Sequence, residues 1–445
     1  MRFFSRAGYR AGLSVLQVPL SGKRVVVGVG GGIAAFKAVA LTRELGSRGA
    51  QVQVVLTPNA ARFVGPITFS GLSSRPVVSN LWDPEYRGEV HVELADWAQA
   101  MVVAPATANV LARAAHGMAD DVLLATLCCA DRERCPVLYA PAMHERMWLA
   151  PSTRANVKRL EQDGALFVGP TRGQLASGSE GLGRMAEPEV IADHLAFALT
   201  ASDLAGRRFL VTAGPTIEDL DPVRFLSNRS SGRMGYTLAA RAAARGAEVI
   251  LVSGPTALAP PLNVQRVEVR SALEMHQAVL ERAAGADAVI MAAAVADFRP
   301  EQRSHHKLKK ADSGLALKLV RNPDILAELG HRRQGCRPLL VGFAMETADM
   351  LAEARRKLRD KRADLIVANL ANVAFGNDAT QAAILDHEKE TETTRLSKAE
   401  LSEQILDRLR TLLEDDPARS RSSKDRSCRT QAIRKPALPA GRNEE

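Results

Sequence analysis

The chain has 445 residues, is 46% hydrophobic and carries a formal net charge of +9. That supplies apolar material for two or three domains, and with no run of eighteen apolar residues no transmembrane helix is expected. Five cysteines (Cys128, Cys129, Cys135, Cys336 and Cys428) are odd in number and lack metal-site spacing, which points to free thiols in a reducing compartment and a cytoplasmic protein.

In chain order, residues 1–21 are basic, with neither a continuous apolar stretch nor a cleavage site, so they read as an N-terminal extension and not a signal peptide. Arg24 to Val29 is a β-branched strand ending in Gly30-Gly31-Gly32, and helical spacing runs from Ile33 to Leu45. Strands follow at Gln51 to Leu56, Ala100 to Ala104 and Val137 to Ala140, and a flexible loop is predicted over Gly173 to Met185. A linker falls near Ala201 to Gly206, and the rhythm restarts with strands at Phe209 to Thr212, Glu248 to Val252, Ala288 to Met291, Leu339 to Phe343 and Asp364 to Ala368, and a helix at Tyr236 to Arg245. Alternating strands and helices predict two α/β units with parallel sheets, over 22–200 and 206–415. Residues 416–445 form a tail; eight Arg/Lys against three Asp/Glu from Pro417 onward account for +5 of the net charge. Too few apolar residues are present there to offset ordering entropy, so disorder is expected. RNA binding by the tail is the lesser reading, and no nucleic-acid partner is expected.

The polar motifs all fall at predicted strand ends, where open α/β sheets bind ligands. Gly30-Gly31-Gly32 opens a helix, so backbone N–H groups and the helix dipole suit a phosphate. Pro105-Ala106-Thr107-Ala108-Asn109 follows another strand, His91 lies just upstream of it, and Pro141 to Trp148 follows the next. In the second half, the loop Asp221 to Gly235 is dense in Asn, Ser, Gly and Arg ahead of an apolar helix, as anion capture requires. Small residues at Ala292 to Ala296 let a nucleotide approach the backbone, with Asp297 able to hold base, ribose or metal; Lys307, Lys309 and Lys310 then precede Asn322-Pro323-Asp324-Ile325. A dinucleotide-dependent oxidoreductase fits less well: there is no Gly-x-Gly-x-x-Gly, and Thr57 stands where an acidic residue would hold ribose.

On these motifs, residues 22–200 resemble the homo-oligomeric flavin-containing cysteine decarboxylases, and residues 206–412 resemble the phosphopantothenate–cysteine ligases, the pairing found in bifunctional coenzyme A biosynthesis proteins. The resemblance implies a flavodoxin-like, Rossmann-type domain followed by a Rossmann-like ligase domain. For the first half it implies FMN held by Gly30, Gly31, Gly32, Ile33, Ala34, Thr57, Pro105, Thr107 and Asn109, His91 as the base, and decarboxylation of 4'-phosphopantothenoylcysteine to 4'-phosphopantetheine. Two positions depart from the family pattern: His144 replaces the Asn that holds the substrate carboxylate, and Ser177 replaces the proton-donating Cys of an Ala-Cys-Gly loop. A hydroxyl is a far weaker acid than a thiol, so this half is expected to bind FMN yet to decarboxylate slowly, stop at the oxidised intermediate or act only as a scaffold. A modified site in which Ser177 and His144 cooperate stays open. For the second half the resemblance implies CTP with Mg2+ as co-substrate, an acyl-cytidylate intermediate, Asn228 holding it and Lys307 assisting its conversion. It implies a CTP pocket of Ala293, Asp297, Lys307, Pro323, Asp324, Ile325, Leu326 and Phe343, with Lys357 and Lys361 on one face of a helix. No metal ligand set is legible. The family's trimer and dimer contacts imply a homo-oligomer, a trimer of dimers or a dodecamer.

Overall fold

The computed structural model describes residues 19–82, 88–308, 316–346, 350–370, 379–393 and 395–414. Most of the N-terminal extension, the basic tail from 416 with Cys428, and Lys309 and Lys310 lie outside the described residues. The chain forms two compact units, residues 1–206 with 239–248 and 257–265, and residues 207–238, 249–256 and 266–445.

In the first unit, runs of Val, Leu and Ala form strands buried on both faces: β1 (Arg24–Val29), β2 (Gln51–Leu56), β3 (Ala100–Ala106), β4 (Val137–Pro141) and the short β5 (Leu166–Phe167). They pair in parallel in the order β2-β1-β3-β4-β5, and continuous apolar runs are what a parallel sheet covered on both sides requires. Helix α1 (Ala35–Ser47) packs its buried Ala38, Leu41 and Leu45 on one face, with Phe69 of α2 (Pro66–Ser73). The other face receives Val90 and Leu94 of α3 (Val90–Trp97), Val110 and Leu111 of α4 (Ala108–Ala115), and Leu123 and Leu127 of α5 (Val122–Cys129). Because β2 lies on one side of β1 and β3 on the other, their connections diverge and leave a crevice at the carboxyl ends of β1 and β3.

Beyond β4 come α6 (Glu145–Leu149) and α7 (Pro151–Gln162). The segment expected to be a flexible loop is instead a hairpin, β6 (Thr171–Gln174) against β7 (Glu180–Arg184). Leu175 N donates to Ser179 O at 2.8 Å and Gly178 N to Leu175 O at 2.9 Å, closing the turn. Gly178 takes φ +84° there, a left-handed conformation glycine adopts without steric cost. A final helix, α8 (Pro188–Leu199), returns to the α1 side of the sheet.

The chain after residue 206 forms β8 (Arg208–Ala213), β9 (Ile217–Asp219), β10 (Phe225–Ser227), α9 (Arg233–Ala244), β11 (Glu248–Ser253), β12 (Val264–Glu268), α10 (Ala272–Ala283), β13 (Ala288–Met291), β14 (Phe298–Pro300), β15 (Leu319–Arg321), α11 (Ile325–Arg332), β16 (Leu339–Glu346), α12 (Met350–Asp360), β17 (Leu365–Leu370), β18 (Ala379–Thr380), β19 (Ala382–Leu385) and β20 (Glu390–Glu392), and most of these residues lie in the second unit. The main sheet runs β12-β11-β8-β13-β16-β17-β19-β20, whose first six strands follow the doubly wound order, with its reversal between β8 and β13. The sheet is not parallel throughout: β19 pairs antiparallel to β17 and to β20, and the few residues 386–389 between β19 and β20 are too short for the crossover a parallel pair would need. The polar stretches between β8 and α9 and after β13 also contain two antiparallel pairs, β9 with β10 and β14 with β15.

Candidate functional site

At the β1/β3 crevice of the first unit, the approach of backbone to backbone leaves room only for glycine. Gly30 N donates to Pro105 O at 3.2 Å, and a Cβ on Gly30 would lie 2.4 Å from that oxygen. A Cβ on Gly31 would lie 2.4 Å from Asn59 Cβ. Beside them is a cavity of about 240 Å³ whose lining includes Gly31, Thr57, Asn59, Thr107, Asn109 and Arg113, together with Asp120 and Asp121. Thr57 is buried with its hydroxyl donating to Val29 O at 3.1 Å, and Thr107 caps α4 by accepting from Val110 N at 3.3 Å. Of the residues predicted to hold the flavin, Gly31, Thr57, Thr107 and Asn109 line this cavity; Gly30 and Pro105 form the close contact beside it, and Gly32 abuts Thr107. Ile33 and Ala34 do not line it: Ile33 is 64% exposed and the helix begins only at Ala35.

Sequence reasoning missed Arg113, Asp120 and Asp121. Arg113 pairs with Asp120 and, at 3.4 Å, with Asp121, whose other oxygen caps α5 by accepting from Leu124 N at 2.9 Å. An Asp ahead of the apolar run Val122-Leu123-Leu124 was a legible cap signal; the arrival of Arg113 beside it depends on how α4 meets α5. Exposed backbone N–H, hydroxyl and amide groups around one cavity suit a phosphate, while the Arg113 guanidinium there is already paired with the lining carboxylates of Asp120 and Asp121.

The three residues expected to do chemistry in this unit sit on different elements. His91 is half-buried in the first turn of α3. His144 is exposed and caps α6, its Nδ1 accepting from Arg146 N at 3.2 Å. The β6–β7 hairpin is fastened to the segment containing His144: Met143 N donates to Gly183 O at 3.0 Å and Leu182 N to Glu145 Oε1 at 2.8 Å. A Cβ on Gly183 would meet Met143 O at 2.0 Å. Ser177 is exposed at the hairpin turn with its Oγ 2.8 Å from Ser179 Oγ. Thus the hairpin base joins the His144 segment, whereas among the described residues no hydrogen bond links His91, His144 and Ser177 to one another.

In the second unit the loops at the carboxyl ends of β8 and β13 are tied together by side chains acting on backbone. Thr212 Oγ1 accepts from Ala293 N at 3.1 Å, Thr216 Oγ1 accepts from Ala296 N at 3.0 Å, and Ala294 N donates to Gly214 O at 2.9 Å. Asn228 Nδ2 donates to Val295 O at 3.0 Å and Ala294 O at 3.4 Å, so the loop after β10 closes on the same strand end. Asn322 bridges onward, its Nδ2 donating to Ala296 O at 2.8 Å and its backbone N to Asp297 O at 2.8 Å. Asp324 caps α11 through Ala327 N at 3.0 Å and pairs with Lys361 Nζ at 3.1 Å. The structure therefore brings together Asn228, Ala293, Asp297, Pro323, Asp324 and Lys361, with exposed Lys307 on an adjoining loop.

One expectation changes here, and the burial of three predicted pocket residues is fixed. Lys361 lies one residue beyond α12, although its N–H still donates to Lys357 O at 3.1 Å. Ile325 and Leu326, 3% and 8% exposed, face the core, so they can offer a nucleotide only their backbone. Phe343 is half-buried on β16. Thr212 and Thr216 become legible as site builders only once β8 and β13 are adjacent, and the bonds from Asn322 to Ala296 and Asp297 likewise need the tertiary fold. Among the described residues no group of three or more His, Cys, Asp or Glu is placed to hold a metal ion, and no helix is long and apolar enough to cross a membrane.

Two α/β units, one with a flavodoxin-type crevice and one with a doubly wound nucleotide-type edge, define the class as a flavoprotein fused to a second Rossmann-like domain. Residues 14–199 match the Flavoprotein family and residues 204–413 the DNA/pantothenate metabolism flavoprotein C-terminal domain. The chain is 42% identical over 400 residues, 88% of its length and 99% of the relative's, to the coenzyme A biosynthesis bifunctional protein CoaBC of Vibrio vulnificus strain YJ016. It is 45% identical over 409 residues, 88% and 97% of the two chains, to CoaBC of Mycobacterium bovis. A crystal structure of the C-terminal domain of a coenzyme A biosynthesis bifunctional protein CoaBC is 43% identical, covers 48% of this chain and all of that one, and gives a TM-score of 0.43. The chain belongs to the CoaBC family of coenzyme A biosynthesis bifunctional proteins. It is an enzyme with a flavoprotein decarboxylase half and a ligase half.

Proposed function

We propose that the second unit joins 4'-phosphopantothenate to cysteine using CTP, and that the first unit binds FMN and decarboxylates the product slowly, releasing it short of complete conversion. The observation that carries the ligase assignment is the interlocked edge at the ends of β8 and β13, where Asn228, Ala293 to Asp297 and Asn322 are bound to one another. In the activation step a carboxylate oxygen attacks the α-phosphorus of CTP and pyrophosphate leaves; cysteine's amine then attacks the acyl carbon, CMP leaves and a proton is released. The rigid edge holds the nucleotide in line. Lys307 brings a cation to the phosphates and the developing charge, Asn228 fixes the loop facing the acyl-cytidylate, and Lys357 and Lys361 extend the cationic rim. With no protein ligand cluster among the described residues, Mg2+ is expected to arrive on the triphosphate oxygens. The test follows phosphopantothenoylcysteine and pyrophosphate with phosphopantothenate, cysteine and CTP supplied; absence of CTP-dependent product refutes the ligase assignment.

In the first unit Gly30, Gly31, Thr107, Asn109 and Arg113 would hold FMN, which when bound supplies reversible two-electron chemistry. We assign to His91 the role of proton-transferring base that the family resemblance implies. His144 keeps more of the family Asn's capacity than its size suggests. With Nδ1 accepting from Arg146 N, the neutral ring carries its proton on Nε2, which can donate to a substrate carboxylate as an amide N–H would. Ser177 has no such equivalence, because its hydroxyl is a poor acid. We therefore place the defect at proton delivery and not at substrate binding. Accumulation of phosphopantothenoylcysteine or of an oxidised product ahead of phosphopantetheine is the expected result; full conversion at the ligase rate sinks this assignment. The same replacement favours, as the second reading, a ligase carrying a flavin-bound scaffold. Exposed Ile33, Phe36 and Ile67 around α1 and α2 support self-association of the first unit, which light scattering of the full chain measures.

A further inference from the structure

Lys307 is exposed, and a flexible four-carbon stem has no fixed geometry of its own. Its reach is set by the backbone from which it projects. That backbone is gripped immediately after Lys307. Leu308 N donates to Asp221 Oδ2 at 3.1 Å, and Leu308 O accepts from Arg224 Nη2. Arg224 Nε also meets Asp221 Oδ2 at 3.1 Å, so one ion pair holds both the N–H and the carbonyl of a single residue. The other carboxylate oxygen accepts from Val223 N and Arg224 N, each at 2.7 Å. A second tie lies four residues earlier: Ser304 N donates to Leu220 O at 2.9 Å, and its hydroxyl donates to His306 O at 2.6 Å.

The placement of Asp221 is informative because it is costly. Its side chain is fully buried, and an enclosed carboxylate is tolerated only when paired and hydrogen-bonded. An ordinary surface turn could use an exposed Asp for the two local bonds. Burial by itself pushes the Asp221 carboxyl up, but the N–H groups of Val223, Arg224 and Leu308 and the Arg224 guanidinium outweigh it and hold the group below the usual carboxylate range. The same β9–β10 turn leads directly into Ser227, whose Oγ donates to Thr216 O at 2.8 Å, and into Asn228. One turn thus supports two site residues that lie far apart in sequence.

We propose that Asp221 and Arg224 are positioning residues that lock the Lys307 loop in register with Asn228 at the ligase edge. The proposal rests on the assignment of Lys307 to the ligase reaction. It is tested in the full-length protein with Asp221→Asn, Arg224→Lys and Lys307→Gln, and with Asp221→Asn combined with Lys307→Gln. The readouts are single-turnover pyrophosphate release from labelled CTP, steady-state ligation, and amide exchange over residues 304–308. Displacement of a reacting group by about 1 Å costs on the order of 100-fold, so Asp221→Asn is expected to lower kcat by about that factor while KM for CTP moves by less than about 3-fold, and to speed exchange at Leu308. In the Lys307→Gln background Asp221→Asn should cause little further loss, since residues acting through one another are non-additive. Loss of the same size in both backgrounds, or full activity in Asp221→Asn and Arg224→Lys while Lys307→Gln is inactive, overturns the clamp. Full activity in Lys307→Gln overturns the assignment of Lys307 itself. Should Asp221→Asn fail to fold, Arg224→Lys carries the test, because that side chain is 40% exposed.

Discussion

The two units solve ligand binding in contrasting ways. In the first, the cavity is shaped by what is missing, with Gly30 and Gly31 allowing backbone and Asn59 to close to contact, while the residues assigned to chemistry stand apart on α3, the α6 cap and a hairpin turn. In the second, the site residues are also the joints: Asn228, Asn322, Thr212, Thr216 and Asp221 each hold a loop by bonding its backbone. A peripheral residue such as Ser177 can change without disturbing the flavin cavity. A joint residue cannot change without moving its neighbours. This gives a physical reason why the departures from the family pattern lie in the first unit and none was found in the motifs of the second.

The sharpest way to break this comparison is Lys307→Gln. Loss of one charge-stabilising donor typically costs about 10²–10³ in rate, and ligation should fall by that much while FMN content stays unchanged; equal loss of FMN would show that the units do not behave separately. Ser177→Cys is expected to act in the opposite direction. Restoring a thiol proton donor should raise phosphopantetheine formation by at least about 10-fold, since a positioned general acid contributes about 10²–10⁴. No gain would shift the defect to His144. Gly31→Ala probes the cavity: the new Cβ falls 2.4 Å from Asn59 Cβ, overpacking of that kind costs about 1–3 kcal/mol, and FMN retention on gel filtration should drop with ligation intact.

Smaller effects refine the picture. His194 on α8 is depressed to about 4 by burial. In the folded protein it therefore stays neutral where the unfolded chain would take a proton, so its contribution to stability is present above about pH 6.5 and is lost as pH falls from there towards 4. Thermal unfolding followed by flavin fluorescence should weaken by roughly 2 kcal/mol across that window, and His194→Gln should flatten the dependence. The mildest change is Glu145→Gln. It weakens the bond from Leu182 N at 2.8 Å, worth about 1–2 kcal/mol with a charged acceptor, and should speed amide exchange in β7 without lowering FMN content.

Much of this architecture was legible in the sequence because its signals are local. β1, β2 and β13 are bounded as read, since apolar runs ended by glycine or polar residues specify buried strands without reference to partners. Gly30 to Gly32 marked the turn between β1 and α1 for the same reason. The hairpin over 171–184 was misread because its short strands, Thr171–Gln174 and Glu180–Arg184, have little apolar pattern, and its order comes from cross-strand bonds and from Glu145, distant in sequence. That Ile325 and Leu326 turn their side chains into the core was not legible, because motif position does not say which face of a helix turns inwards.

Sequence alone determined the strand rhythm, the two α/β units and the family, since each follows from short-range pattern or matched motif. Only the tertiary structure decided that Arg113 meets Asp120 and Asp121, that His144 Nδ1 accepts from Arg146 N at the α6 cap, and that Asp221 grips the loop of Lys307. Those facts depend on groups brought together from far along the chain. Hydrogen bonds act over about 3 Å, and no local pattern records which distant backbone will come within that distance.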